Sequence, residues 1–351
     1  MFLKNAWYVA CTPDEFAEKP LGRQICGERM VFYRGDDGAP HALEDFCPHR
    51  GAALSLGFLS NGKLTCGYHG LQMNHDGSCA HMVGQRSVKA FPTIRRYPVV
   101  ERYGFVWVWP GDAAKADDSL IHHCHWAEDP AWQYGGGLYH INCDYRLQID
   151  NLMDLTHETY VHANSIGQAE IEEAPPGTKT VGDEVITSRH MENVKAPPFW
   201  ALALRANGLA DDVPCDRWQI CHFTPPSHVM IEVGVAHAGH GGYNAPDQYK
   251  AGSIVVDFIT PETETSHWYF WGMARNFKPQ DTELTAAIRA GQGKIFGEDL
   301  DVLEAQQRNL SMYPGRKILK LNIDSGGVQS RAVLDRLIAA EQAESKAKEA
   351  A

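Results

Sequence analysis

The sequence predicts a two-domain α+β protein, with an all-β domain over residues 1–112 followed by an α+β domain over residues 113–351. The chain has 351 residues, more than one hydrophobic core usually organises, because single cores stop growing at about 250–300 residues. Its first part alternates short apolar runs with Gly, Asp and Pro turns, which is typical of strands. Its second part mixes helical periodicity with strand-like runs.

The all-β prediction depends on runs such as residues 30–34, which are followed by the turn at residues 35–38. Residues 105–109 form another apolar run, closed by Pro110 and Gly111, and their alternating aromatic side chains indicate one face of a core strand. An Ala/Asp-rich passage at residues 112–118 then changes the composition. We place the domain boundary there.

The α+β prediction depends on helical patterns at residues 145–162 and 280–312 and on strand-like runs at residues 253–259 and 267–271. Residues 330–351 are rich in Ala, Glu and Lys, which predicts a charged terminal helix that frays into disorder.

Charge and composition exclude several classes of function. Lys and Arg number 32 against 44 Asp and Glu, a net charge of −12, so the chain lacks the cationic excess that coats nucleic acid or anionic membranes. The N-terminus has no signal-peptide pattern and no run is long enough to span a bilayer, which predicts a cytoplasmic protein. Nine scattered cysteines indicate thiols and metal ligands rather than a disulfide framework.

Two cysteine–histidine loops in the first domain form the first candidate site. Cys47 and His49 are separated from Cys66 and His69 by sixteen residues, so each loop supplies one sulfur and one nitrogen. Glycines beside both loops permit tight turns that bring backbone N–H groups close to an anionic cluster.

A [2Fe–2S] centre of the Rieske type takes two thiolates on one iron and two imidazoles on the other, which fits one ligand of each kind from each loop. Zinc bound by two Cys and two His is the alternative. Zinc-finger spacing usually pairs Cys with Cys and His with His, whereas these loops mix them. The spacing therefore favours the iron–sulfur cluster.

The second candidate site is a pair of histidines, His157 and His162, preceded by Asp154. On an ideal helix positions i and i+5 lie about 140° apart, so a regular helix cannot direct both imidazoles at one metal. We expect the helix to distort or end there. Asp154 lies three residues before His157, where its carboxylate would orient the imidazole through the distal N–H. Two solvated histidines on a polar helix are the alternative.

A 2-His-1-carboxylate site for non-haem Fe(II) also needs an acidic ligand and leaves positions open for O2 and substrate. In the predicted helix at residues 280–312, Asp299 falls inside the apolar stripe, while Asp301 and Glu304 point away from it. A buried carboxylate is costly unless it is paired or bound to metal. Asp299 is therefore the candidate third ligand, and an Asp satisfied by a neighbouring donor is the alternative.

The two intact cysteine–histidine loops resemble the Rieske motif of the aromatic-ring oxygenases, a family of Rieske non-haem iron enzymes. The similarity extends over nearly the whole chain and is greatest to the aromatic O-demethylases. It is carried also by residues 5–10, 103–111, 150–162 and 260–264.

The resemblance implies a Rieske domain followed by a helix-grip catalytic domain, assembled as a trimer and fed with electrons from NADH or NADPH by a flavin and iron–sulfur reductase. It also implies that Cys47, His49, Cys66 and His69 hold the cluster, and that His157, His162 and Asp299 hold the iron. Asp154 would link that iron to the partner subunit's His69, which is a role in electron transfer.

The implied reaction is hydroxylation of an aryl methoxy carbon with O2, which releases formaldehyde and leaves a phenol, vanillate giving protocatechuate. Another methoxybenzoate substrate and a ring-dihydroxylating dioxygenase are the enzymatic alternatives, and a Rieske electron carrier is the non-enzymatic one. The residues that bind the substrate carboxylate are not identified, since several Arg and His between residues 189 and 275 are suitable anchors.

Overall fold

The computed structural model of the chain describes residues 1–163 and 165–349. It divides into two compact units. The first comprises Met1–His123, Thr260–Glu264 and Glu344–Ala351, and the second comprises Cys124–Ile259 and Thr265–Ala343.

The first unit is built from short antiparallel strands, in agreement with the all-β prediction. They form one three-stranded sheet of order β1-β11-β10 and two four-stranded sheets of orders β2-β3-β4-β9 and β5-β6-β7-β8. The strands are β1 (Tyr8–Cys11), β2 (Leu21–Ile25), β3 (Glu28–Arg34), β4 (Pro40–Glu44), β5 (Phe58–Ser60), β6 (Lys63–Thr65), β7 (Gln72–Met73), β8 (Cys79–His81), β9 (Arg96–Tyr97), β10 (Val99–Arg102) and β11 (Phe105–Val108).

The aromatic run at residues 105–109 is packed in the core, as its alternation predicts, and β11 covers its first four residues. Trp107 is fully buried and Trp109 is 2% exposed, and each indole N–H donates to a backbone carbonyl, of Arg102 and Asp112 respectively. Large aromatic side chains gain most from burial when their polar atom also has a partner. The prediction of a packed strand is confirmed.

The second unit is organised around a seven-stranded antiparallel sheet of order β12-β18-β17-β16-β15-β14-β13. Each strand pairs with its neighbour along the chain except β12, which pairs with β18. The strands are β12 (Gln133–Ile141), β13 (Gly177–Val181), β14 (Glu184–Val194), β15 (Cys215–Thr224), β16 (His228–His237), β17 (Lys250–Thr263) and β18 (Ser266–Arg275).

Six α-helices accompany these strands within the described residues, and with the sheet they make the second unit α+β, as predicted. They are α1 (His125–Glu128), α2 (Tyr145–Met153), α3 (Glu158–Val161), α4 (Pro198–Ala206), α5 (Thr282–Met312) and α6 (Ser325–Glu349).

Helix α5 matches the predicted 280–312 helix within two residues at its start, where the Asp281 side chain accepts a hydrogen bond from Leu284 N and caps it. The helix lies against β12 and β18. A Cβ at Gly293 would stand 2.9 Å from the Trp271 ring, so glycine permits this close approach. The Tyr139 hydroxyl donates to Gly293 O at 2.7 Å and fixes the same contact.

The unit boundary differs from the one expected at residue 112. The first unit continues to His123, because the Trp7 indole donates to Asp117 O at 2.8 Å and ties the Ala/Asp-rich passage to the all-β sheets. The end of α6 also belongs to this unit, through an ion pair of Lys348 with Asp112 at 3.2 Å. The terminal helix thus continues to Glu349 where fraying was expected, and residues 350–351 lie outside the described part of the chain.

No helix in the described part of the chain combines the length and apolar character that crossing a bilayer requires.

Candidate functional site

The two cysteine–histidine loops follow β4 and β6 and fold in the same way. Cys47 N donates to Ala52 O, and Cys66 N donates to Leu71 O, both at 2.8 Å, so each loop closes on itself beside its cysteine. Gly51 has φ +69° in the first loop and Gly70 has φ +74° in the second, values that favour glycine.

Burial separates the two kinds of donor in these loops. Cys47 and Cys66 are each 2% exposed within a hydrophobic cluster, and their thiols are within hydrogen-bonding reach of each other. His49 and His69 are exposed, with ring centroids 4.6 Å apart. Sulfur donors inside and imidazoles at the surface suit an iron pair in which one iron takes both thiolates and the other both imidazoles.

The spacing of the donor atoms disfavours a single zinc ion at this site. Four ligands around one zinc lie about 2.0–2.3 Å from it, which places them within about 5 Å of one another. Among the described residues, the sets of three or more donors that all lie within 4.8 Å of one another do not include these four side chains. A two-iron cluster would not require all four donors to lie so close to one another.

Burial raises the pKa of the Cys47 thiol, and the backbone N–H groups of His49 and Arg50, which donate to its sulfur, lower it. N–H groups directed at sulfur stabilise a thiolate and thereby a metal–sulfur bond.

His157, His162 and Asp299 meet in the second unit. Helix α2 ends at Met153, Asp154 is extended, and the short α3 begins after His157 and ends before His162, so the expected break in the helix is confirmed. Donor atoms of the three side chains lie within 4.8 Å of one another. His157 Nε2 is 3.7 Å from Asp299 Oδ1, and His162 Nε2 is 3.4 Å from Asp299 Oδ2.

Each of these three side chains has a polar hydrogen-bond partner. His157 Nδ1 lies 2.7 Å from Asp154 O, and His162 Nδ1 lies 2.8 Å from Glu298 Oε2. The Asn151 amide donates to Asp299 Oδ1 at 3.0 Å. An acceptor at Nδ1 places the imidazole proton there, so both Nε2 lone pairs are directed toward Asp299.

Asp154 supports His157 through its backbone carbonyl, whereas the sequence predicted support through its carboxylate. The carboxylate lies 3.9 Å from His157 Nδ1 and accepts instead from the backbone N–H and the hydroxyl of Thr156. Because the residue is extended at the end of α2, its carbonyl is free of the helix and points at the imidazole.

The electrostatics at His162 favour a cation. Burial lowers the pKa of His162, but the carboxylates of Asp299 and Glu298 raise it, and the net shift is upward. The three-residue set therefore attracts positive charge into an interior where His162 and Asp299 are each 3% exposed.

A cavity with about 80 Å³ of free space adjoins these three side chains. Most of its wall is apolar. The lining residues are Asn151, Leu152, Asp154, Leu155, His157, Glu158, His162, Ile166, Phe199, Trp200, Arg217, Gln219, Ile231, Val233, Val255, Met273, Gln292, Ile295, Phe296 and Asp299.

Sequence reasoning missed several polar side chains of this site. Glu298 was not selected because, of these two adjacent acids, only Asp299 falls in the apolar stripe of α5. Arg217 and Gln219 alternate along β15 and face the cavity together with Glu158, but only the pairing of strands places them there. A period-two pair of polar residues inside an apolar strand was the available signal.

Family comparisons agree with this geometry. Residues 6–92 match the Rieske [2Fe-2S] domain, and residues 141–340 match the vanillate O-demethylase oxygenase C-terminal domain. A vanillate O-demethylase oxygenase subunit from Pseudomonas sp. (strain HR199) is 73% identical over 97% of this chain and 96% of its own length. The dicamba O-demethylase oxygenase component of Stenotrophomonas maltophilia is 37% identical over 96% and 98%.

Among solved structures, dicamba monooxygenase bound to 3,6-dichlorosalicylic acid superposes with a TM-score of 0.88 at 35% identity, covering 97% of this chain and 99% of that one. A Rieske domain joined to a sheet that carries a 2-His-1-carboxylate set defines a Rieske non-haem iron oxygenase, an enzyme that combines O2 with electrons from a separate reductase. The chain belongs to the vanillate O-demethylase oxygenase family.

The predicted fold class, enzyme class and cofactors are thus confirmed: a [2Fe–2S] cluster, a mononuclear iron and O2 as co-substrate.

Proposed function

We propose that this oxygenase component demethylates vanillate, giving protocatechuate and formaldehyde. The observation that carries the proposal is the convergence of His157, His162 and Asp299 at a cavity with mostly apolar walls. Relatives that bear the name vanillate O-demethylase oxygenase subunit are 73% and 70% identical to the chain, and this supports vanillate over other methoxybenzoates.

We assign the cluster ligands to Cys47, His49, Cys66 and His69, and the iron ligands to His157, His162 and Asp299. In this class the cluster relays electrons to the iron, where O2 is activated. The donor sets fit these groups, since the first unit offers two buried thiols and two exposed imidazoles, and the second brings two imidazoles to one carboxylate.

The protein side chains around the iron ligands have separate tasks. Glu298 and the Asp154 carbonyl hold the Nδ1 protons, which keeps both Nε2 atoms available as ligands. Asn151 fixes one oxygen of Asp299. The walls formed by Phe199, Trp200 and their apolar neighbours exclude water from the reacting carbon.

The reaction balances as a monooxygenation. The methoxy carbon gains a hydroxyl from O2, while two electrons from the reductase and two protons reduce the other oxygen atom to water. The resulting hemiacetal expels formaldehyde, its hydroxyl proton passing to the phenolic oxygen. The product keeps the ring and the carboxylate of the substrate and has a second phenolic hydroxyl.

The proposed function also includes an oligomeric assembly. We assign the working form to a homotrimer in the cytoplasm, in which Asp154 links the iron of one subunit to the cluster of the next through the partner subunit's His69. Asp154 lines the cavity beside the iron ligands, while His69 is exposed and free to meet another subunit. Nine buried free cysteines are consistent with a reducing compartment.

A ring dihydroxylation would use the same two metal centres, so the products decide between the two reactions. The test supplies anaerobically purified, iron-loaded protein with a reductase, NADH, O2 and vanillate, and measures formaldehyde and protocatechuate. Asp299→Ala should abolish both, whereas Asp301→Ala, an exposed aspartate of the same helix, should not.

Formaldehyde in a one-to-one ratio with protocatechuate supports the proposal. A cis-diol product would establish dihydroxylation instead. Reduction of the cluster without oxidation of any methoxyarene would indicate that the protein is an electron carrier.

A further inference from the structure

Arg217 is the only arginine or lysine among the described residues that line the cavity. It lies on β15 and is 2% exposed. One of its terminal nitrogens donates to Gln168 Oε1 at 2.6 Å, and the other lies 3.3 Å from Glu158 Oε2. Its Nε hydrogen is buried with no acceptor among the described residues.

A second buried arginine stands beside it. Arg189, 1% exposed on β14, faces Gln219 across the strand pair and donates to the backbone carbonyls of Leu155 and Ala174. One of its terminal nitrogens likewise has no acceptor within the described part of the chain. Arg189 itself does not line the cavity.

Glu158 is the one carboxylate within hydrogen-bonding distance of Arg217 among the described residues. Glu158, 4% exposed, receives Arg217 and the Gln219 amide. Asp154 and Glu170 also lie near the two guanidinium groups, but their carboxylates accept from Thr156 and Gln168 respectively. Arginine keeps its proton in the interior, and a single contact with Glu158 at 3.3 Å leaves the Arg217 guanidinium incompletely paired.

A buried charge is costly unless it is fully paired and hydrogen-bonded. A ligand carboxylate against Arg217 supplies a further negative charge and further hydrogen-bond acceptors. Guanidinium groups hold carboxylates with paired, charge-assisted hydrogen bonds. The rest of the cavity accommodates an aromatic ring, since apolar side chains dominate its wall.

We propose that Arg217 is the anchor for the substrate carboxylate, and that it selects benzoates over neutral methoxyarenes. This inference rests on the proposed function, because it assigns one end of the same substrate. With the carboxylate fixed at β15, the ring extends across the cavity and presents its methoxy group to the side of His157, His162 and Asp299.

The test compares the binding of vanillate with that of its primary amide, vanillamide, which has nearly the same shape and no charge. Calorimetry of the anaerobic, iron-loaded enzyme gives a dissociation constant for each. A charge-assisted hydrogen bond contributes about 1.5–3 kcal/mol, so vanillate should bind about 10- to 100-fold more tightly in the wild type. Arg217→Met should reduce this preference to about twofold or less, and Arg217→Lys should retain part of it.

Arg308→Met is the matched control, because Arg308 is an exposed arginine on α5 with its side chain 68% accessible. It should keep the full preference for the acid. A wild type that binds acid and amide equally overturns the proposal even if Arg217→Met does not fold. A folded Arg217→Met that still prefers the acid tenfold or more overturns it as well.

Failure of the proposed function gives a different result. In that case vanillate yields no formaldehyde in the wild type, while the acid-to-amide preference and its loss in Arg217→Met remain measurable in binding alone.

Discussion

Asp257 is a buried acid in β17 that the structure holds in its neutral form. It is fully buried, and the Tyr269 hydroxyl donates to its Oδ1 at 2.7 Å. Its Oδ2 has no hydrogen-bond partner among the described residues. Burial raises the pKa of Asp257 to about 8, with a smaller contribution in the same direction from Asp299, against the lowering effect of Tyr269.

The sign of the effect on stability follows from proton binding. In the unfolded chain Asp257 has the ordinary pKa of 3.8, so between about pH 4 and pH 8 the native state holds one more proton than the unfolded state. The free energy of unfolding therefore falls as the pH rises through this window, by about 1.4 kcal/mol per pH unit. Above about pH 8 the dependence ends.

Asp257→Asn removes this dependence while keeping an acceptor for Tyr269. From pH 6 to pH 8 the stability of the variant should rise relative to the wild type by about 2–3 kcal/mol. At about 2–4 °C per kcal/mol, the difference between the two melting temperatures should change by roughly 6 °C. Circular dichroism melts of both proteins, iron-loaded and run in parallel at each pH, measure it.

Asp247→Asn is the control, because the Asp247 side chain is 82% accessible. Its difference from the wild type should stay constant with pH. A constant difference for Asp257→Asn too, or one that changes in the wild type's favour as the pH rises, would refute the assignment of a neutral Asp257.

Three other substitutions test contacts elsewhere. Glu298→Gln weakens the hydrogen-bond acceptor at His162 and should lower the retention of iron against a chelator about 10- to 100-fold. Iron analysis measures this, with Asp301→Asn as the control, and equal iron retention in the two variants would contradict the role of Glu298. Gly326→Ala places a Cβ 2.6 Å from Met153 O, and the protein should lose about 1–3 kcal/mol. Gly291→Ala, with no described atom within 4 Å of the new Cβ, should gain about 0.5–1 kcal/mol; melting-temperature shifts of the same sign in these two variants would contradict the packing argument.

The residues proposed as metal ligands could be selected from the sequence because their signals are local. Cys47 and His49 stand two residues apart in one loop, and the second loop repeats the combination. His157 and His162 are five apart, and that spacing alone required the break after α2. Asp299 was selected by its position in the apolar stripe of α5, and it is 3% exposed. In each case a few neighbouring residues contain the information.

The residues that contact those ligands could not be selected from local sequence patterns. Contact between Glu298 and His162 joins residues 136 positions apart, and contact between Arg217 and Glu158 joins residues 59 apart. Whether a strand residue faces a cavity depends on strand register, since a shift by one residue reverses every side chain. The period-two polar pair in β15 shows that Arg217 and Gln219 share a face but not where that face points, so the proposed carboxylate anchor could be narrowed only to a long stretch of sequence.

The end of α2 shows how one local event serves the whole site. Because the helix stops at Met153, the carbonyl of Asp154 has no partner within the helix and accepts from His157 Nδ1. The same break turns the chain so that His162 reaches Glu298 on α5. Both imidazoles then present Nε2 to Asp299. A substitution that extended α2 through Asp154 would keep every proposed ligand in the sequence and still separate them, so the helix end is as necessary to the site as the ligands.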